Sequence, residues 1–204
     1  MKKKQIFATF FLLLSCTALR GAVPENVPGT EIAARLAQHT VVQGQFEQQR
    51  NVEGLPKPLI STGRFLYWRD GGIYWATENP VQQALTYTRD KTLRWDPEGG
   101  PPQALRGSSD AYFRRIILDV FSFNLEHLAK QFELHWQQQK DSWQLDLLPR
   151  KRSLRRVLRQ VTLRGSVYVE QLTMTDDEGL ALQIYFSAVT TPPAIDLQQC
   201  TEVF

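Results

Sequence analysis

The sequence predicts a mainly β fold with helices, an α+β chain built on one large curved antiparallel sheet or open barrel with helices packed on or into it. Three observations predict it. About ten short strand-like runs follow one another at even spacing, separated by hairpin-type turns. Helical periodicity is confined to a segment near the start and a stretch in the middle. One hairpin, GRFLYWRDGGIYWATENP, is apolar on both faces, whereas an ordinary antiparallel sheet has one face for water.

The 204 residues suit one domain with a substantial core. Residues 1–21 are set apart from the fold. Lys2, Lys3 and Lys4 precede the apolar run Ile6 to Leu14, which is too short to span a bilayer and fits the apolar region of a secretory signal. Export follows, leaving residues 22–204 as a single domain. The segment carries Lys2, Lys3, Lys4 and Arg20, so the 24 basic residues fall to 20 against 21 acidic ones, a formal charge of −1. Global charge then gives no reason to expect nucleic acid. Leu13-Leu14-Ser15-Cys16 resembles a lipobox, which would make Cys16 a lipidated N-terminus; ordinary cleavage near Ala18 or Gly21 competes with it. Cys200 is the only other cysteine, so after either cleavage the fold has no internal disulfide.

After a Pro- and Gly-containing lead-in, EIAARLAQ places Ile32, Ala33 and Leu36 on one helical stripe with Thr30 as N-cap. VVQGQFEQQ alternates Val42, Gly44 and Phe46 against glutamines, as a strand does. The two-faced hairpin covers 61–78 and ends at Asn79-Pro80. ALTYTRD and TLRWDP form the next hairpin around Asp90-Lys91, and GGPPQ breaks the pattern. Residues 109–131 are the main helical stretch, capped by Ser108 or Ser109, with Asn124 capping a second short helix, LEHLAKQF. FELHWQQ, SWQLDLLP, VLRQVTLRG, VYVEQLTMT and LALQIYFSAV complete the strands.

Catalytic signatures do not emerge. The three histidines, His39, His127 and His135, form no pair at metal-ligand spacing, and no nucleophile elbow, P-loop or dinucleotide fingerprint is present. Asp176, Asp177 and Glu178 read as a hairpin turn rather than a Ca²⁺ loop. No metal, cofactor or catalysis is expected. The run PRKRSLRRVLRQVTLRG carries seven cations from Arg150 to Arg164 and no acid. It reads as a solvated loop entering a strand, or as an electrostatic dock for anionic headgroups or an acidic membrane partner.

In the two-faced hairpin, a three-residue loop Asp70-Gly71-Gly72 sets Arg69 opposite Ile73, Tyr67 opposite Trp75 and Phe65 opposite Thr77 on one side. Leu66, Trp68, Tyr74 and Ala76 take the other. Each side needs a cover: protein on one, and on the other either more core or a cavity for an apolar ligand.

The order of an amphipathic helix over 32–38, Gln45-Phe46-x-Gln48, Gly63-x-Phe65-x-Tyr67-x-Arg69, Ile73-x-Trp75 and Asn79-Pro80 is similar to that of the LolA-like periplasmic lipoprotein carriers. The likeness continues through Leu93-Arg94-Trp95-Asp96-Pro97, the central helices, Phe132-Glu133-Leu134 and Trp143-x-Leu145-x-Leu147-x-Pro149. The resemblance implies an unclosed β-barrel with a helical lid over a hydrophobic cavity lined by Leu36, Phe46, Phe65, Tyr67, Ile73 and Trp75. It implies a periplasmic monomer that binds acyl chains of lipoproteins or related lipids. Such a carrier moves them from inner to outer membrane and meets an inner-membrane exporter and an outer-membrane acceptor transiently. Arg69 matches the family's latch on the lid. Asp70 stands where familiar members have proline, which leaves an ion pair with Arg69 open. If Cys16 is lipidated, the same fold would be an outer-membrane-anchored, LolB-like acceptor; a carrier of a non-lipoprotein lipid is the other alternative.

Overall fold

The computed structural model describes residues 29–105 and 108–192, without the side chains of 108–113. Residues 1–28 and 193–204, which hold Cys16, Cys200 and the segment expected to direct export, lie outside the described residues.

The chain starts with α1 (Thr30–Leu36), then β1 (Val41–Arg50), β2 (Leu59–Trp68), β3 (Gly72–Asn79), β4 (Gln83–Tyr87), β5 (Thr92–Trp95) and β6 (Gln103–Leu105). Two helices follow, α2 (Ser108–Ser122) and α3 (Leu125–Gln131). The second half runs β7 (Phe132–Gln139), β8 (Ser142–Pro149), α4 (Arg152–Arg155), β9 (Gln160–Gly165), β10 (Val169–Thr175) and β11 (Ala181–Thr190). All strands belong to one antiparallel sheet in the order β6-β5-β4-β3-β2-β1-β11-β10-β9-β8-β7. It consists of two meanders joined where β1 pairs with β11. The sheet curves without closing, and β6 and β7 are its edges.

That order fixes where the helices go. β6 is the last strand of the first meander and β7 the first of the second, so the chain must travel between opposite edges of the sheet through α2 and α3. A connection between the edges of a curved sheet crosses its inner face. Ile116, Ile117 and Val120 recur at helical spacing on α2 and are nearly inaccessible, as is Leu128 on α3. The Asn124 side chain accepts from the His127 amide at 3.0 Å and starts α3, as its sequence position predicts. Phe123, between the two helices, takes the left-handed conformation at φ 47° and ends α2 there. Its buried ring meets Trp143 edge-on at 5.8 Å. No helix of the described residues is long and apolar enough to cross a membrane.

Three local expectations change, and one short strand is added. The cap of α1 is Gly29, not Thr30, because the helix begins one residue earlier than the apolar stripe suggests. GGPPQ breaks the strand pattern as its glycines and prolines suggest, and a short strand the sequence did not mark, β6, starts at its last residue and pairs with β5. The cation-rich run folds one turn, α4, because Leu154 and Leu158 are four apart and both bury. The β2–β3 register is also displaced. The loop has three residues, but they are Arg69, Asp70 and Gly71, so Phe65 faces Trp75 and Tyr67 faces Ile73. The displacement is by two residues, the strand period, so every side chain keeps its face.

One glycine permits the packing between β1, β2 and β3. A Cβ on Gly63 would sit 1.9 Å from the Ala76 carbonyl oxygen and 2.9 Å from Phe46 Cζ. Gly63→Ala is therefore expected to lower stability by about 1–3 kcal/mol, read from the midpoint of urea unfolding.

Candidate functional site

The inner face of the sheet is built by alternation. Val42, Gly44 and Phe46 of β1 lie opposite Tyr67, Phe65 and Gly63 of β2, and Phe65 and Tyr67 lie opposite Trp75 and Ile73 of β3. Leu36, Phe46, Phe65, Tyr67, Ile73 and Trp75 are all buried in one continuous core. Within it, Phe46 stacks on Trp75 at 4.0 Å, and Phe65 meets Phe186 of β11 edge-on at 5.2 Å.

Phe121 of α2 closes this surface from above. Its ring lies 5.3 Å from Phe65, 5.6 Å from Phe186 and 5.7 Å from Tyr67. The space between the crossover and the sheet is thus filled by rings. A void of about 30 Å³ remains, bordered by Leu36, Val42, Phe65, Phe121, Phe186 and Val189 among others. That is far below the roughly 300 Å³ of a small-ligand pocket. The interior is largely apolar and filled, so a ligand of ordinary size could enter only if a covering element such as α2 moved. Phe121 and Phe186 were not among the residues the sequence singled out. Their signals were the Ile117/Phe121 spacing of four and the Ile184/Phe186 alternation, both indistinguishable from ordinary core.

Arg69 lies in the β2–β3 turn and holds the end of α1. Its main-chain N–H donates to the Thr40 carbonyl at 2.9 Å. Its Nη2 donates to the carbonyl oxygens of Ala37 and His39, the latter at 3.1 Å. These carbonyls are at and just beyond the α1 C-terminus, where a cation is favoured. Among the described residues Arg69 forms no ion pair with Asp70. The guanidinium therefore clamps the helix that carries Leu36, rather than α2 directly.

His39 sits beside this clamp. Its ring lies 5.3 Å from Tyr168, and its buried Nε2 has no hydrogen-bond partner among the described residues. Burial, then the nearby Arg35 and Arg69 charges, lower its pKa below the usual 6.5. The unfolded chain consequently binds a proton more readily than the folded one, so stability falls as pH drops through and below the unfolded value. The melting temperature is expected to decline between about pH 7.5 and 5.5, and His39→Gln to flatten that decline; a decline equal in both proteins would assign it elsewhere.

Beyond Arg69 the surface opens into a cleft of about 740 Å³ between the β2–β3 turn and α2–α3. Arg69, Arg89, Arg114 and Arg115 line it, with Tyr67 at its inner wall. The other histidines pair locally: His127 Nδ1 is 2.8 Å from Asp119 Oδ1, and His135 Nε2 is 3.2 Å from Glu133 Oε1. In the basic run, Arg150 donates to the Ala129 and Phe132 carbonyls and Arg155 to those of Pro149 and Arg150. Two of its seven cations thus brace the β7–β8 end, while Lys151, Arg152, Arg156 and Arg159 are exposed.

A family model described as "Outer membrane lipoprotein carrier protein LolA" matches residues 37–199. No curated protein matches the chain. Among solved structures, a MucB crystal structure superposes with a TM-score of 0.51 at 18% identity, covering 84% of this chain and 63% of that one. The MucA/MucB complex of Pseudomonas aeruginosa gives 0.48 at 16% identity, covering 83% and 59%. This chain thus spans less than two thirds of the MucB chains. A LolA superfamily protein from Nitrosomonas europaea gives 0.48 at 10% identity, covering 84% and 97%. At such identities the likeness is one of fold.

Proposed function

Because this chain belongs to the LolA family, we propose that it is a non-catalytic carrier that binds the acyl chains of lipoproteins or related lipids in its apolar interior. The single observation that supports this most is the crossover from one sheet edge to the other, which covers an all-apolar aromatic surface chiefly through ring contacts of Phe121. A lid of this kind can exchange its own rings for an acyl chain without breaking a strand ladder. An acyl chain in water is penalised by ~0.8 kcal/mol for each exposed CH₂, so sheltering several such groups makes passage through an aqueous compartment feasible. Leu36, Phe46, Phe65, Tyr67, Ile73 and Trp75, with Phe121 and Phe186 added, are the residues assigned to the chain. Arg69 is assigned the latch on α1: while it holds the end of that helix, the wall of the interior that carries Leu36 stays in place.

Residues 1–21 are assigned to export, which places the working chain in the periplasm as a monomer, between an inner-membrane exporter and an outer-membrane acceptor. The reading is tested with a fluorescent fatty acyl probe. Saturable binding that unlabelled lipid displaces is expected, and a protein that binds no acyl ligand would mean the interior is simply a two-sided core. The Leu13-Leu14-Ser15-Cys16 segment favours a second reading, an anchored acceptor of the same fold. Metabolic labelling with a radioactive fatty acid separates the two. Label that Cys16→Ser abolishes identifies the acceptor, and an unlabelled wild type removes it.

A further inference from the structure

The cleft at the end of the hairpin is not explained by apolar cargo. Four guanidiniums, those of Arg69, Arg89, Arg114 and Arg115, line it together with two carboxylates, Asp70 and Asp119. Asp119 is already engaged by His127 Nδ1 at 2.8 Å and Gln131 Nε2 at 3.4 Å. Arg114 Nη1 reaches Thr92 Oγ1 at 3.5 Å. Arg69 spends one nitrogen on the α1 carbonyls and retains other donors, since a guanidinium has five. Arg89 and Arg115 form no hydrogen bond or ion pair among the described residues, and both are exposed. The four cations outnumber the two carboxylates, one of which is already engaged, and a cleft with a net positive lining attracts anions.

A second observation comes from inside the wall. Tyr67 lines this cleft but is only 2% exposed, and its buried hydroxyl has no hydrogen-bond partner among the described residues, although the cleft's Arg69, Asp70 and Arg89 are near enough to act on it. A buried hydroxyl left unpaired costs free energy that an arriving acceptor recovers. Burial raises its pKa, so at neutral pH the group is a phenol with a proton to donate. The same ring packs 5.7 Å from Phe121. Tyr67 thus has its body in the apolar interior and its polar end behind the wall of the cationic cleft, which makes the two spaces neighbours.

We propose that the cleft is an oxyanion site that seats the phosphate or carboxylate headgroup of an amphiphilic cargo whose acyl chain lies beneath α2. The arginines supply charge-assisted donors and the Tyr67 hydroxyl a neutral one, at the boundary where headgroup gives way to chain. This rests on the acyl-carrier reading and narrows it to anionic amphiphiles.

The test is displacement of a fluorescent acyl probe from the purified protein by dodecyl phosphate, dodecanoate and uncharged dodecanoylglycerol, with inorganic phosphate as a fourth competitor. The two anionic amphiphiles are expected to bind at least about tenfold tighter than the uncharged one, the worth of one or two charge-assisted hydrogen bonds. Arg89→Gln combined with Arg115→Gln is expected to collapse that gap while leaving dodecanoylglycerol unchanged, and Tyr67→Phe to narrow it. Equal affinity for charged and uncharged chains in the wild type would overturn the headgroup site and leave the acyl carrier standing. Inorganic phosphate binding as tightly as dodecyl phosphate would also overturn it, assigning the cleft to the free anion. Failure of every amphiphile to bind would remove both readings.

Discussion

Arg69→Leu is expected to leave the protein folded, to tighten its hold on an uncharged acyl probe by about tenfold, and to slow release correspondingly. The wild-type guanidinium donates to the Ala37 and His39 carbonyls and so stabilises only the state in which α1 is docked. A hydrogen bond from a charged donor is worth about 1.5–3 kcal/mol. Removing it raises the closed state towards the loaded one, and each 1.4 kcal/mol of that change is tenfold in apparent affinity. Leucine preserves the apolar stem but cannot donate. Arg69→Lys, which keeps one charge without the planar fork, is expected to lie between the two. Stopped-flow release of the probe reads the effect directly, and identical loading and release in wild type and Arg69→Leu would end the latch assignment.

Phe65→Ala is expected to lower stability by about 3–5 kcal/mol, as deletion of a buried phenylalanine does. Phe65 is 3% exposed and its ring neighbours Trp75 of β3, Phe121 of α2 and Phe186 of β11. The vacated volume adjoins the void of about 30 Å³, so the variant has a larger cavity beneath α2 than the wild type. An acyl ligand that enters there replaces the lost contacts. A saturating fatty acyl probe is therefore expected to raise the melting temperature of Phe65→Ala more than that of the wild type. Equal shifts would mean that the probe binds elsewhere.

Much of the fold was legible because strand period, turn residues and caps are local. The Asn124 cap, the hairpin around Asp90-Lys91, and the face shared by Phe65, Tyr67, Ile73 and Trp75 depend on a few neighbouring residues. The displaced loop was not legible for the opposite reason. Arg69 leaves the ladder because its main chain pairs with Thr40 and its side chain with Ala37 and His39, partners about thirty positions away. Pairing in sequence cannot register that competition. The one-turn helix at Arg152 was hidden by its charge, since only the burial of Leu154 and Leu158 distinguishes it from a solvated loop. The closed interior was hidden too. Periodicity identifies a side of a strand that avoids water, but whether rings or a ligand fill the space depends on Phe121 arriving from across the sheet. The arginine cleft joins residues 69, 89, 114 and 115, which no spacing rule connects.

Photo-crosslinking with a diazirine-bearing fatty acid, followed by peptide mapping, tests the central claim most directly. An acyl chain held beneath the crossover is expected to label peptides containing Phe65, Trp75, Phe121 and Phe186, and excess unlabelled fatty acid to suppress the labelling. Labelling confined to exposed segments such as Leu55 to Ile60, or none at all, would contradict the claim.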